Sequence, residues 1–331
     1  MKFHFLTVIT KNYLAWARAL NTQLHKHHQD CVLHVFLADE LEGAFDPTKE
    51  DFILVPLSAF VPATRLSSAT YYTAYEFSNS LKALAHTYML EQVKADKWLY
   101  LDSDMFVTGC LSDIFLLLDK AAVVLCPHNL QVNQFSKVGK MELGFLRTGM
   151  YNGGLLGLSN STTTVAFLRW WEERLTYKCL HNQPGLEADQ SWLNFVPILF
   201  KAVALITDPR INIAYWNIHE RSKEVHTPLI LHFSGWDWRN PTLLSKHSRQ
   251  DLPGLGDWSI WAQAYQSLLL QCDIQCTSQY RYSFGSVQYR FQFSRKVIRL
   301  YLENHPKPAT CFRLSHALVF FFTHKVKRIL K

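Results

Sequence analysis

No Cys-x-x-Cys pair occurs anywhere in the 331 residues. The seven cysteines are scattered, and the nearest two, Cys272 and Cys276, have three residues between them. That spacing excludes zinc ribbons and thioredoxin-type chemistry. An odd number of scattered thiols fits a reducing compartment. No apolar run approaches the ~20 residues a membrane-spanning helix needs. The longest lies near Ala317–Thr323. The apolar start, Met1–Thr10, is brief and has no small-residue cleavage site, so it reads as a strand and not as a leader. Charged residues are also few, at 18%. Internal repeats and low-complexity linkers are missing. Together these absences predict a globular, cytoplasmic protein.

What is present is apolar and aromatic. Hydrophobic residues reach 48%, which excludes a disordered chain, and there are ten tryptophans. Indole faces fill cores, and they also stack on sugars and bases. The net charge of +7 is uneven. Residues 281–331 hold 11 Lys/Arg against Glu303 alone, while the first 280 residues hold 23 Lys/Arg against 26 Asp/Glu. The body is nearly neutral, which speaks against a nucleic-acid-binding surface.

The hydrophobic pattern predicts strands at Phe3–Thr10, Cys31–Ala38 and Asp51–Pro56, with a helix at Tyr13–His27 carrying Leu14, Ala17, Leu20 and Leu24 on one face. This β-α-β opening is the signature of a mainly parallel α/β sheet covered by helices. Residues 57–74 read as a polar loop and Tyr75–Val93 as one helix. Further strands are predicted at Lys97–Leu101, Ala121–Cys126, Tyr151–Leu158, Ala204–Ile206 and Ile230–His232. A loop is expected over 127–148, and helices near Ser112–Asp119, up to Tyr177, at Asp189–Val196 and at Trp258–Cys272. A boundary near residue 250 divides a catalytic region, 1–250, from a basic helical extension, 251–331.

Four short segments carry the chemistry. Asp102-Ser103-Asp104 follows the Lys97–Leu101 strand. In extended backbone, residues two apart point the same way, so both carboxylates can face one spot. Two hard oxygen donors at a strand's carboxyl end suit Mg²⁺ or Mn²⁺ shared with a diphosphate. His232-Phe233-Ser234-Gly235 follows another apolar strand, where an imidazole can add a third ligand and a glycine admits a phosphate. Asn152-Gly153-Gly154 lies within a strand, where glycines mark the close approach of a ligand. Glu187-Ala188-Asp189-Gln190 opens a helix; Asp189 can be a plain cap there, or the carboxylate and amide can hold sugar hydroxyls.

In this order the segments resemble the GT-A glycosyltransferases, most closely glycosyltransferase family 8 and its bacterial relatives. The resemblance covers about residues 1–250 and rests on Thr10, Asn12 and Tyr13, Asp102 and Asp104, Asn152 and Gly154, Asp189 and Gln190, and His232 and Gly235. It implies a GT-A fold and metal-dependent transfer of a hexose from a nucleotide sugar, UDP-linked by the family's habit, with retention of configuration. It further implies that Thr10, Asn12 and Tyr13 hold the base and ribose and that Lys82 meets the diphosphate or donor sugar. Asp102, Asp104 and His232 would bind Mn²⁺ or Mg²⁺, with Ser103 and Gly235 beside the diphosphate. Asn152, Gly153, Gly154, Asp189 and Gln190 would line the donor sugar and reaction centre. The family continues after H-x-x-G with a Lys-Pro-Trp. Here Trp236-Asp237-Trp238-Arg239-Asn240-Pro241 follows, and Arg239 or Lys246 is expected in the lysine's place.

Two other classes stay open at this point. A nucleotidyltransferase also combines nucleotide, metal and α/β sheet, although its usual glycine-rich loop is missing from the segment Thr10–Trp16. A catalytically silent glycan-binding protein would use the tryptophans alone. An inverting enzyme would need a general base, which Asp189 or Glu187 can supply. The expected acceptor is a glycan or a lipid-linked glycan. The basic, aromatic tail is expected to meet an anionic membrane, placing the protein peripherally on the inner membrane face.

Overall fold

The computed structural model describes residues 2–131, 135–181, 185–251 and 256–284. Its centre is a seven-stranded sheet of order β3-β2-β1-β4-β7-β6-β8. The strands are β1 (Phe3–Ile9), β2 (Cys31–Leu37), β3 (Ile53–Val55), β4 (Lys97–Leu101), β6 (Val123–Pro127), β7 (Tyr151–Ser159) and β8 (Val203–Leu205). All pairings are parallel except those of β7 with β4 and β6. Both faces are buried, which is why the strands read as continuous apolar runs. Alternate residues divide between the faces. Leu6, Trp98 and Tyr100 meet Phe167, Trp171 and Leu175 of the helix Thr162–Lys178. Phe5, Ile9, Leu99 and Leu101 meet Leu14, Ala17, Leu20 and Leu24 of the helix Leu14–His27.

Three expected segments differ. Residues 57–74 are not a plain loop: they fold into short helical turns at Leu57–Phe60, Ala63–Leu66 and Ser67–Thr70. Pro56 and Pro62 stand at the N-caps of the first two, in extended backbone just before the turns begin. The helix expected over 75–93 is broken at Leu81 into Ala74–Ser80 and Lys82–Tyr88, followed by a π-turn at Met89–Val93. Part of the 127–148 loop is the helix Phe135–Thr148. Two small pairings lay outside the pattern. Strand β5 (Met105–Val107) runs antiparallel to β9 (Ile230–His232), and β10 (Leu243–Ser245) forms a hairpin with β11 (Ser248–Asp251). Of these four strands, only β9 was expected from the sequence.

A third core lies beneath the helix Asp257–Gln271, whose Trp258 and Tyr265 are fully buried against Trp16, Phe106, Phe233 and Trp236. The chain then crosses back over the carboxyl ends of β1 and β2. There Ser283 N–H donates to Asp39 Oδ1 at 2.9 Å, and Lys11 Nζ donates to Ser283 Oγ at 2.7 Å. Tyr282 and Phe284 pack against the first core, Phe284 with its ring 5.8 Å from Phe77. The rest of the basic extension lies outside the described residues. Among those described, no helix is long and apolar enough to cross a membrane, and the six cysteines are unpaired.

Candidate active site

Strand β4 ends at Leu101 and delivers Asp102 and Asp104 to one side of the sheet; β9 ends on His232. The β5–β9 pairing sets Met105 opposite His232, so the acidic turn and the imidazole meet by register. Ligand atoms of Asp102, Asp104 and His232 all lie within 4.8 Å of one another. His232 Nε2 is 3.2 Å from Asp104 Oδ1. On the other side of the ring, Nδ1 faces Asn212 Oδ1 at 3.0 Å. A carbonyl oxygen only accepts, so Nδ1 carries a proton, and Nε2 is the nitrogen that faces the carboxylates, donating to Asp104 when the ring is charged. Two hard carboxylates and one imidazole nitrogen turned toward them fit a divalent cation once that nitrogen is deprotonated. Gly154 completes the cradle. A side chain there would place Cβ 2.6 Å from Asp102 Oδ2 and 2.9 Å from His232 Cε1.

Beneath the carboxylates lies Lys82, the first residue after the break at Leu81. Its ammonium donates to Gly153 O at 2.9 Å and to Asp189 Oδ2 at 3.0 Å, and it sits 3.5 Å from Asp102 Oδ1. It also rests 4.6 Å over the Tyr100 ring. Burial acts to discharge Lys82, and the Asp102 and Asp189 charges reverse that, holding it charged above the ordinary lysine value. Burial likewise raises Asp102, but Lys82, His232 and the Tyr100 hydroxyl more than offset it, so this carboxyl stays below the usual range. Asp189 is the exception. Burial, with repulsion from Asp102, outweighs Lys82 and lifts its pKa to about 6. His232 is raised: burial would lower it, and the Asp104 charge and hydrogen bond prevail.

Asp189 does not act as a side-chain cap for the turn Gln190–Phe195 that follows it. Its carboxylate goes to Lys82, and its carbonyl accepts from Trp171 Nε1 at 3.3 Å. The preceding Ala188 is buried at φ +43°, a left-handed conformation that costs a non-glycine residue about 1–2 kcal/mol. This turn aims Asp189 and Gln190 together. Gln190 Oε1 accepts from Asn152 Nδ2 at 3.2 Å and Gly153 N at 3.0 Å, while its Nε2 donates to Thr148 O at 2.9 Å. Asn152 Oδ1 accepts from Gly154 N at 3.1 Å. A Cβ on Gly153 would stand 2.6 Å from Asp189 Oδ2.

The remaining expected residues lie around this centre. Thr10, Asn12 and Tyr13 form the turn after β1, with the Thr10 hydroxyl donating to Asn12 Oδ1 at 2.6 Å. The Tyr13 hydroxyl is raised by the protein packed around it and then by the charges of Asp104 and Asp102. Ser103 turns its carbonyl away from the cluster, where it accepts from Tyr265 Oη at 3.3 Å. Gly235 follows the β9 end at φ +68°, a conformation that favours glycine, and a Cβ there would meet His247 at 2.6 Å. Arg239 is exposed, stacked on Trp238 and hydrogen-bonded to Ser278 Oγ. Lys246 is exposed as well.

Two residues escaped the sequence reading. Tyr100 donates to Asp102 Oδ1 at 2.6 Å, one period-2 step before it on the same strand face. That alternation was legible, and Tyr100 could have been found by it. Asn212, at φ +62°, is held by Asn217 Nδ2 on its carbonyl and donates Nδ2 to Cys126 Sγ at 3.3 Å. Nothing local in the sequence marks it, because its role depends on a strand that follows 18 residues later.

No protein-family model matches the chain. Over 247 residues it is 27% identical to YfnF of Bacillus subtilis (strain 168), an uncharacterized protein, across 70% of this chain and 81% of that one. A second uncharacterized protein of the same organism, YfnD, is 24% identical over 251 residues, covering 71% of this chain and 78% of YfnD. Among solved structures, the glycosyltransferase GlyE of Streptococcus pneumoniae TIGR4 superposes with a TM-score of 0.50 over 85% of this chain at 18% identity. The chain spans 66% of the GlyE chain. The mostly parallel, helix-flanked sheet of this chain is therefore the α/β fold of a GT-A glycosyltransferase.

Proposed function

We propose that the protein is a metal-dependent glycosyltransferase that moves a hexose from a UDP-type nucleotide sugar to a glycan or lipid-linked glycan. The observation that carries this reading is the meeting of Asp102, Asp104 and His232 at strand ends of this fold, directly above the buried Lys82–Asp189 pair. Mn²⁺ or Mg²⁺ held by those three residues would supply Lewis-acid neutralisation of the departing diphosphate. The turn Thr10–Tyr13 receives the base and ribose. Gly154 lets Asp102, Asn152 and His232 pack against the strand, and Gly235 lets His247 do so, closer than a side chain would allow. Lys82 fixes Asp102 and Asp189 from below and adds a permanent positive charge to the floor. Asp189 and the Gln190 amide stand where the anomeric carbon becomes oxocarbenium-like, and the Asn152 and Gly153 contacts fix the amide's orientation.

Retention of configuration and membership of family 8 belong to this proposal, as does a place on the inner membrane face through the basic tail. A thermal-shift screen of sugar nucleotides with Mn²⁺ tests it, since a ligand that binds only the folded state raises Tm. A UDP-sugar should raise Tm with Mn²⁺ and not with EDTA. Transfer or hydrolysis of that donor should follow the same pattern, and the anomeric proton coupling of the product reads the stereochemistry. No response to any sugar nucleotide would overturn the proposal.

A further inference from the structure

We propose that Tyr75, His181 and Glu187, together with Tyr215 and His247, form an acceptor subsite selective for an uncharged pyranoside. The inference rests on the glycosyl-transfer reading and names the substrate class that site would take. Glu187 stands two residues before Asp189 in the turn that aims the reaction-centre carboxylate, and its carbonyl accepts from Gln190 N at 3.0 Å. Its side chain is therefore fixed to the same backbone as Asp189 and Gln190. Tyr75 Oη donates to Glu187 Oε1 at 3.3 Å, and His181 Nδ1 meets that same oxygen. Among the described residues, no hydrogen bond falls on Oε2. An acceptor for one or two hydroxyls is thus held in place with a free edge.

The wall above it is aromatic and open. Tyr75 is 51% exposed although its hydroxyl is engaged, and His181 lies 5.0 Å from its ring, edge on. An exposed tyrosine ring anchored through its hydroxyl is a rigid platform for the C–H face of a pyranose. Tyr215 and His247, within electrostatic reach of Glu187, lie 5.7 Å apart at 30°. His247 is packed against the left-handed Gly235, so this wall is tied to the metal-side turn. The Glu187 charge reaches both. After burial, it is what raises the Tyr215 hydroxyl, and it opposes the burial, Lys246 and His181 that lower His247. Asp189, Glu187 and Asp102 likewise act, after burial, on the Tyr75 hydroxyl.

Charge sets the class of guest. Glu187 stands two residues before Asp189, and the buried Lys82 already serves Asp189 and Asp102. A uronate or a phosphorylated sugar would bring a further negative charge against the Glu187 carboxylate, whose partners are the Tyr75 hydroxyl and the His181 ring. A neutral glycoside donates hydroxyl protons to the carboxylate and stacks its apolar face on the ring.

Saturation-transfer NMR on the full chain tests this with methyl glucoside, methyl galactoside and methyl glucuronide as probes, in the presence of UDP and Mn²⁺. A neutral glycoside should bind, and the glucuronide should bind at least about tenfold more weakly. Glu187→Gln and Tyr75→Ala should each weaken the neutral probe about tenfold or more, while Tyr75→Phe, which keeps the platform, should stay within about threefold. UDP–Mn²⁺ affinity, read separately by calorimetry, should be the same in all variants that keep the wild-type Tm. Glycoside binding unaffected by either variant would overturn the subsite, as would failure of wild type to bind a neutral probe or equal binding of the glucuronide. Failure of the glycosyl-transfer reading looks different: UDP and Mn²⁺ would not bind wild type, whatever the glycosides do.

Discussion

At the residue scale, the site is a set of charges that hold one another in unusual states. Of the three proposed ligands, Asp104 has the least structural burden, because its contact within the cluster is His232 Nε2. Asp104→Asn should leave circular dichroism and Tm near wild type. It should lower Mn²⁺-dependent turnover roughly 100-fold or more, as removal of several kcal/mol of charge stabilisation demands. Gly154→Ala makes the complementary test. Its Cβ would press on Asp102 Oδ2, Asn152 Oδ1 and His232 Cε1, all at under 3 Å. Calorimetry should find Mn²⁺ affinity down at least about tenfold, with an overpacking loss of about 1–3 kcal/mol in urea unfolding. Asp189 gives a pH signature. With its pKa lifted to about 6 by burial, it is charged only as the pH rises through that value. kcat/KM of the proposed reaction should therefore climb between about pH 5 and 7, and Asp189→Asn should have lost that limb. The sign for stability is opposite. The fold holds this proton more firmly than the unfolded chain does, so the stabilisation is complete below the ordinary aspartate range near pH 4 and is lost as pH rises through about 6.

At the element scale, what matters is where helices start. Thr73 caps the helix Ala74–Ser80 through a reciprocal box with Glu76, whose other oxygen accepts from His181 N at 3.0 Å. This cap positions Tyr75 and, directly after the break at Leu81, Lys82. Thr73→Ala should cost about 1 kcal/mol in denaturant unfolding. It should also weaken UDP–Mn²⁺ binding measurably, whereas loss of an unrelated cap such as Ser161 on the helix Thr162–Lys178 should cost stability alone. The same elements show how far the sequence could be read. Strands β1, β2, β4 and β7 were legible because burial on both faces makes unbroken apolar runs, and the period-2 rule brought Asp102 and Asp104 to one side. The break at Leu81 was not, because the residues on either side keep a helical apolar pattern. Nor were β5, β10 and β11, short pairings made only by contact with segments distant in sequence or by a tight hairpin. Asn152–Gly154 and Asp189–Gln190 could be marked as candidates one by one, whereas Thr10–Tyr13 and Lys82 were named only through the family resemblance. Their convergence depends on register, which only the folded sheet supplies.

At the scale of the whole molecule, the chain after residue 280 joins the donor side of the site to the basic tail. Ser283 ties Asp39 and Lys11 at the ends of β1 and β2, next to the turn proposed to hold the base. Beyond Phe284, outside the described residues, 10 Lys/Arg stand against Glu303, interleaved with Phe291, Phe293, Ile298, Leu300, Tyr301 and the run Leu318–Phe322. A basic segment with apolar residues adsorbs to anionic lipid, each Lys or Arg near the surface adding on the order of 1 kcal/mol. The nearly neutral body contributes little to such binding, so the attraction resides in the tail. Removing residues 285–331 keeps the Ser283 strap and takes away only that charge. The full chain should sediment with phosphatidylserine-rich vesicles at low salt and be released at high salt, as exposed charges are screened beyond about 10 Å at 0.1 M. The chain ending at Phe284 should stay in the supernatant while binding UDP and Mn²⁺ as before. Equal sedimentation of the two chains would remove the membrane from the account of this protein. Loss of nucleotide binding on truncation would instead mean that the tail completes the donor site.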